Sequence, residues 1–357
     1  MYKNGKRMMA WVAKIDNVVK HPDADSLDIC TVGGWQCVTK LGEFKPGDLA
    51  VYISIDSWVP TNLAPFLSKG KEPKEYNGVR GERLRTVKLR GQLSQGLLLP
   101  VDEVNGTKFI TGYFLEDGMG SMVAVKEGDD VTEALGIQKW ETPIPAQLAG
   151  QVRGNFPTVV PKTDQERIQN LKKEFEEWKA QNLVFEVTEK LDGSSCTMYL
   201  DLEGDFHVCS RNLDLKRDEN NNFWKAAIQG DVENRMVAAN LHGFAIQGEL
   251  IGEGIQGNQY KIRGQKFYAF DIYDVKAGAY LNSEQRIKLC QQLGLNHAPL
   301  VGVKAITAED IASILQEAEG KSLLNDSERE GLVWKCISDP SISFKTISNR
   351  WLLKNKE

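Results

Sequence analysis

From its start to Trp140 the chain offers short β-branched and aromatic runs set between turn signals, and no long helical periodicity. A stretch patterned in this way buries its apolar side chains by pairing strands, and it predicts a small all-β barrel. Ala10–Ile15 alternates weakly. Asp48–Ile55 is rich in β-branched and aromatic residues, and Arg83–Leu89 and Gln95–Leu99 continue the pattern. Lys45-Pro46-Gly47-Asp48 supplies turn chemistry between strands.

The pattern stops at residues 141–163, which hold four prolines and two glycines and mark a boundary. Residues 1–145 are expected to form the β domain, 146–163 a linker and 164–357 a second domain. Thr163 or Asp164 is expected to cap a helix whose apolar stripe is Ile168, Leu171, Phe175 and Trp178. Beyond it, the strands Leu183–Val187, Ser195–Leu200 and Lys266–Ile272 mix with the helices Ser283–Leu293 and Thr307–Ala318. Each helix has a Ser or Thr at its start and a glycine past its end, Gly294 or Gly320. Asp218–Asn222 reads as a polar loop. The second domain is therefore α+β.

Composition excludes several classes. The chain is 41% hydrophobic and 26% charged, as globular proteins are. No apolar run approaches 18 residues, which speaks against a transmembrane helix and a membrane partner. The basic N-terminus lacks the apolar stretch of a secretory signal. The six cysteines are scattered without a CxxC, and four histidines give no zinc spacing. Reduced thiols and a cytoplasmic location follow as expectations, with no obligate protein partner evident. The net charge of −5 argues against a general polyanion binder. It hides a local excess, because Lys69–Arg90 holds eight basic residues against three acidic ones. Arg80, Arg83, Arg85 and Lys88, with Arg90, are a candidate phosphate-contacting face. The plainer alternative is a solvated loop and strand.

The chemistry concentrates at Phe185–Ser195. An apolar strand ends in Thr188-Glu189-Lys190, and a tight turn, Asp192-Gly193, follows. A lysine at a strand end is partly desolvated. Its pKa is expected to fall, leaving a neutral amine that attacks an electrophile. The alternative is a hairpin turn with a solvated lysine.

Further segments appear in a fixed order. They are Lys190-Leu191-Asp192-Gly193, then Ser210-Arg211-Asn212, Gly248-Glu249-Leu250-Ile251-Gly252, Phe267-Tyr268-Ala269-Phe270-Asp271-Ile272, Glu330-Gly331-Leu332-Val333-Trp334-Lys335 and Phe344-Lys345. In content and order they resemble motifs I, Ia, III, IIIa, IV and V of the covalent nucleotidyltransferases, the polynucleotide ligases and mRNA capping enzymes. His21-Pro22-Asp23-Ala24-Asp25-Ser26-Leu27 resembles the signature of tRNA-binding OB-fold domains, a hint that the β domain is an OB barrel. DNA ligases and capping enzymes carry an OB domain after motif V, whereas only 12 residues follow Lys345 here. The chain therefore resembles the ATP-dependent RNA ligases with an N-terminal OB module, which seal 3′-OH/5′-phosphate nicks. A DNA ligase or a capping-type enzyme is the alternative.

The resemblance implies an α+β nucleotidyltransferase domain behind an OB-fold domain that binds RNA. It implies ATP as the nucleotide, Mg²⁺ or Mn²⁺ as the metal, and RNA as the partner, as a nicked duplex or an RNA–DNA hybrid. Lys190 would be the nucleophile that carries AMP, Lys345 would neutralise the α-phosphate, and Arg211 would hold a phosphate or ribose edge. Glu249 and Glu330 would serve ribose hydroxyls and metal, and Asp192 would orient Lys190 or a metal-bound water. Phe270 and Val333 would stack on adenine, and Glu189 would read its amino group. The family often has Lys-x-Lys in motif V, but Ile347 stands at the second position here, leaving Lys335 and Lys354 as candidates for that charge. Phe267 is expected in the core, Cys196 as a small buried residue and the histidines as structural.

Overall fold

The computed structural model describes residues 2–3, 6–104, 107–110, 123–140 and 151–355. The chain divides into two compact units. One comprises Met1–Pro143, Gln169–Lys172 and Leu352–Glu357, and the other Ile144–Ile168 and Lys173–Trp351.

The N-terminal unit is built from antiparallel sheets. Leu49–Ile53 lies between Ala10–Lys14 and Leu97–Pro100. Ala50 and Tyr52 face one apolar cluster with Trp11, Ala13 and Trp35, while Val51 and Ile53 face another with Ala10, Val12 and Val59. A strand buried on both faces has no polar side to alternate with, which explains the continuous apolar run at 49–53 and the weak alternation at Ala10. The expected strand Arg83–Leu89 is two strands, Val79–Arg83 and Val87–Leu89, the second pairing with Gln92–Ser94. His21 is structural: its ring bonds the Asp23 amide at 3.0 Å and meets Leu89 O at 3.1 Å.

The elements from Val152 onward are numbered in chain order. They are β1 (Val152–Asn155), β2 (Glu166–Arg167), α1 (Lys172–Ala180), β3 (Val184–Lys190), β4 (Ser194–Leu200), β5 (Phe206–Cys209) and β6 (Leu213–Leu215). There follow α2 (Asn222–Gln229), α3 (Val232–Ala238), β7 (Phe244–Gly252), β8 (Gln265–Asp274), β9 (Ala279–Tyr280), α4 (Ser283–Gln292) and β10 (Asn296–His297). The last are β11 (Leu300–Ala305), α5 (Ile311–Glu317), β12 (Gly331–Cys336), β13 (Ser343–Ile347) and α6 (Asn349–Asn355). One sheet runs β1-β6-β5-β4-β7-β8-β9 with β10 joined to β8, and the other runs β2-β13-β12-β3-β11.

Three local expectations change. The helix expected from Thr163 or Asp164 starts at Lys172, because Glu166–Arg167 pairs as a strand with Phe344 and Lys345 and Ile168–Asn170 makes a 3₁₀ turn. Residues 152–155, expected in a linker, form β1 and pair with β6. The helices at 283 and 311 are present, but their N-caps are Asn282, in a capping box with Gln285, and Asp310.

Strand alternation assigns the faces. On the five-stranded sheet Phe185, Trp334 and Phe344 stack with Trp178 of α1, at centroid distances of 5.5 to 6.3 Å. That aromatic face leaves Lys190, Val333, Lys335 and Lys345 on the opposite face. On the other sheet Met198, Ile246, Leu250 and Ile272 pack against Trp224, Met236 and Cys290 of the helices. The same alternation turns Gln247 and Glu249 the other way.

Candidate active site

Lys190 is the last residue of β3. Its Nζ donates to Glu330 Oε1 at 2.6 Å, and Glu330 directly precedes β12, 140 residues on. The turn after Lys190 packs tightly on β7: a Cβ on Gly193 would lie 2.4 Å from Leu250 O and 3.0 Å from Glu249 Cγ. That contact fixes Asp192, whose amide donates to Tyr260 Oη at 2.8 Å. β4 then leaves the turn beside β7, with Ser195 opposite Glu249.

One carboxylate therefore bonds the amine, and two more act on it through their charge. Burial alone would lower the Lys190 pKa, but Glu330, Glu249 and Asp192 outweigh it, and the amine is held above its ordinary value. This corrects the expectation of a depressed lysine. Glu249 shows the other side of the balance: burial, opposed by Lys190 and reinforced by Glu330 and Asp192, pushes its carboxyl up to about 8. Glu330 Oε2 is buried with no protein hydrogen-bond partner.

Glu189 points away from Lys190 and is 2% exposed. Its Oε2 accepts from the Leu323 amide at 2.7 Å, and its Oε1 is buried without a partner. Burial raises its pKa against the hydrogen bonds from Ser322 and Leu323. Phe270 and Val333 are half-buried, and Phe267 is in the core. Lys335 Nζ lies 5.7 Å from the Phe270 ring centre and donates to Phe270 O at 2.8 Å. It also pairs with Asp271 at 2.5 Å. Lys335 thus shares the face of Lys190 but is committed to β8, and Ile347 is buried.

Arg211 sits at the tip of the β5–β6 hairpin, with its Nη2 2.8 and 2.9 Å from the two oxygens of Asp164. Phe156, Lys162, Thr163, Asp164, Ser195, Thr197 and Arg211 line a small pocket there. In the N-terminal unit Arg83 is not free for a ligand: it holds Asp56 at 2.6 Å and lies 4.0 Å over the Trp140 ring. Arg80 pairs with Glu72 at 2.5 Å, whereas Lys88 and Arg85 are exposed.

Sequence reasoning missed Arg167, the register partner of Lys345 in a parallel pair, because its segment read as a helix start. It also missed Tyr260, and a buried charge group beneath the site. There Arg286 bonds Glu186 at 2.5 Å and His297 at 3.0 Å, while Lys335 pairs with Asp271. No motif spacing marks such a group; its members meet only after the sheets form.

A lysine bonded to one carboxylate and under the charge of two more, on a sheet that follows a separate β unit in the chain, defines a nucleotidyltransferase domain and an OB-fold domain. The sequence model of the RNA ligase family matches residues 183–351, and an OB-fold domain model matches residues 9–101. Solved structures of Naegleria gruberi RNA ligase are similar over 98% of this chain and 99% of theirs, at 42% identity. The TM-scores are 0.84 for the form with PPi, 0.83 for a variant with ATP and Mn, and 0.85 for a variant with AMP and Mn. No curated protein sequence matches the chain. The chain belongs to the RNA ligase family.

Proposed function

We propose that this enzyme is an ATP-dependent RNA ligase that joins 3′-OH and 5′-phosphate ends at nicks in duplexes, through AMP carried on Lys190. The observation that carries the reading is the Lys190 amine at 2.6 Å from Glu330, with Glu249 and Asp192 adding their charge. In the first step Lys190 Nζ attacks the α-phosphorus of ATP, pyrophosphate leaves, and a phosphoramidate forms. In the second, AMP passes to the 5′-phosphate of RNA. In the third, the 3′-OH attacks that phosphate and AMP leaves. Such transfers depend on positioning and on neutralising charge.

Lys345 is suited to neutralise the α-phosphate and Arg211 to hold a phosphate or ribose edge. Phe270 and Val333 would flank adenine, and Glu189, whose carboxylate points away from Lys190, would read its amino group through the backbone carbonyl. The donors fit Mg²⁺ or Mn²⁺: Glu330 Oε2 is unpartnered, and Glu249 and Asp192 are hard oxygen ligands. Bound there, the cation would supply charge neutralisation at the phosphates and draw the carboxylates away from Lys190. In the β unit, the exposed Arg80, Arg85 and Lys88 are the candidates for contact with RNA phosphates.

No helix among the described residues is long and apolar enough to cross a membrane. All six cysteines are free and buried, which fits a cytoplasmic, reducing setting. Two assays test the reading. Parallel incubation with labelled ATP and GTP should label the protein from ATP, and label from GTP alone would overturn it. Nicked duplexes with RNA or DNA on the 3′-OH side should be sealed when that side is RNA; equal sealing of all-DNA nicks would indicate a DNA ligase.

A further inference from the structure

The hairpin that carries Arg211 is gripped by a histidine. β5 and β6 are joined by Ser210-Arg211-Asn212, with the Ser210 amide donating to Leu213 O at 2.9 Å. Behind that turn, His207 of β5 stands between two carboxylates from different elements. Its Nδ1 is 2.8 Å from Asp214 Oδ2 on β6, and its Nε2 is 3.2 Å from Asp201 Oδ2, in the turn leading from β4 to β5. Both carboxylates are anchored in turn. Asp201 Oδ1 accepts from the Asp205 amide at 2.7 Å, and the Cys209 thiol donates to Asp214 Oδ1 at 3.8 Å. The Tyr199 ring stacks on the imidazole with centroids 5.6 Å apart, and Arg153 of β1 pairs with Asp205 at 3.0 Å. The His207 side chain is 14% exposed and that of Asp214 8%.

A neutral imidazole has one N–H and can donate to only one of these acceptors. The imidazolium donates to both, through charge-assisted bonds. An acceptor on each ring nitrogen therefore specifies the protonated ring. The Asp214 hydrogen bond holds the His207 pKa above its ordinary value; burial and the Arg153 charge oppose this, and Asp201 adds to it.

We propose that His207, as the imidazolium, is a positioning residue for Arg211: it ties the β4–β5 turn to β6 and so sets the hairpin that aims the guanidinium. The inference rests on the reading of Arg211 as a substrate-contacting residue, and the experiment separates the two. In the full chain, the His207 ring followed by NMR should titrate above about 6.5, the ordinary histidine value, and Asp214→Asn should lower that midpoint. A midpoint at or below the ordinary value overturns the inference.

Each of the three steps is then timed for Arg211→Ala, His207→Gln and the double variant. His207→Gln should slow the step that Arg211→Ala slows most, by about tenfold, as expected for lost hydrogen bonds. The double variant should be no slower than Arg211→Ala, because both changes act through one guanidinium. A slow Arg211→Ala with additive losses overturns the inference alone. An Arg211→Ala variant unchanged in every step overturns the reading of Arg211 and the inference with it. If His207→Gln unfolds, the unmodified enzyme supplies the test: the Arg211-dependent step should decline as pH rises through the NMR midpoint, and a flat profile overturns the inference.

Discussion

Arg286 Nη2 meets Glu186 Oε1 at 2.5 Å across 100 residues of sequence, and both side chains are 2% exposed. Removing either partner strands a charge away from water. Arg286→Met is expected to lose about 3–5 kcal/mol of unfolding free energy, measured by urea denaturation. Pairing it with Glu186→Leu should recover most of the loss. A loss of only a few tenths of a kcal/mol, as at a solvated surface pair, would refute the assignment.

Glu330→Gln distinguishes two roles for the carboxylate beside Lys190. Removing its charge lowers the Lys190 pKa, and if deprotonation were the sole obstacle, labelling by ATP would accelerate. A role in holding cation or ribose predicts the reverse, a fall of about 100-fold or more. We expect the fall, read as covalent label per minute, while Lys190→Ala should give no label at all.

Glu249 predicts opposite pH trends for stability and cation binding. Its folded pKa of about 8 exceeds the ordinary 4.5. Between those values the folded chain holds a proton that the unfolded chain has lost, so stability falls as pH rises through the window. Cation binding rises over the same window, because the ion competes with that proton. Melting of the metal-free protein across this range, beside Glu249→Gln, should show a slope in the parent that is reduced in the variant. Equal slopes would contradict the shift.

Phe270→Ala should raise the KM for ATP about tenfold, the usual loss of a base-stacking ring, with kcat little changed. Because Phe270 is half-buried, its melting temperature should move far less than that of Phe267→Ala, whose ring is in the core. A KM within twofold of the parent would place adenine elsewhere.

Arg85→Ala with Lys88→Ala should weaken sealing and flatten its dependence on salt, since each phosphate contact contributes to that slope. Adenylylation of Lys190 should be unchanged. A loss confined to adenylylation would contradict an RNA-contacting role. Arg83→Ala should instead act on stability, through Asp56 and Trp140.

What the sequence revealed was chemistry carried by neighbours in the chain. Lys190 and Asp192 share a turn, and Glu330 and Val333 share a strand approach, so their types and spacing were legible before any fold. Boundaries were less so. The stripe from Ile168 to Trp178 has helical spacing, yet Glu166 and Arg167 pair with β13, a partner that lies about 180 residues away and leaves no local pattern. The strand end alone points to a depressed Lys190 pKa because burial is local, whereas Glu249 and Glu330, which raise it, arrive from 59 and 140 residues away. The Arg286–Glu186 and His207–Asp214 pairs had no sequence signal, since ordinary charged residues become special only when a fold encloses them.

The cysteines bear on how the enzyme can be watched at work. All six thiols are enclosed, and burial pushes that of Cys290 up to about 11 and those of Cys37, Cys196 and Cys209 higher still. Thiolates, the species that maleimides capture, are therefore scarce at these four positions, and burial shields all six sulfurs from the reagent. A single cysteine placed at exposed Lys88 would be the one reactive handle on a native background. A fluorophore there would report RNA arrival on the β unit, with no need to strip the protein of its own sulfur first.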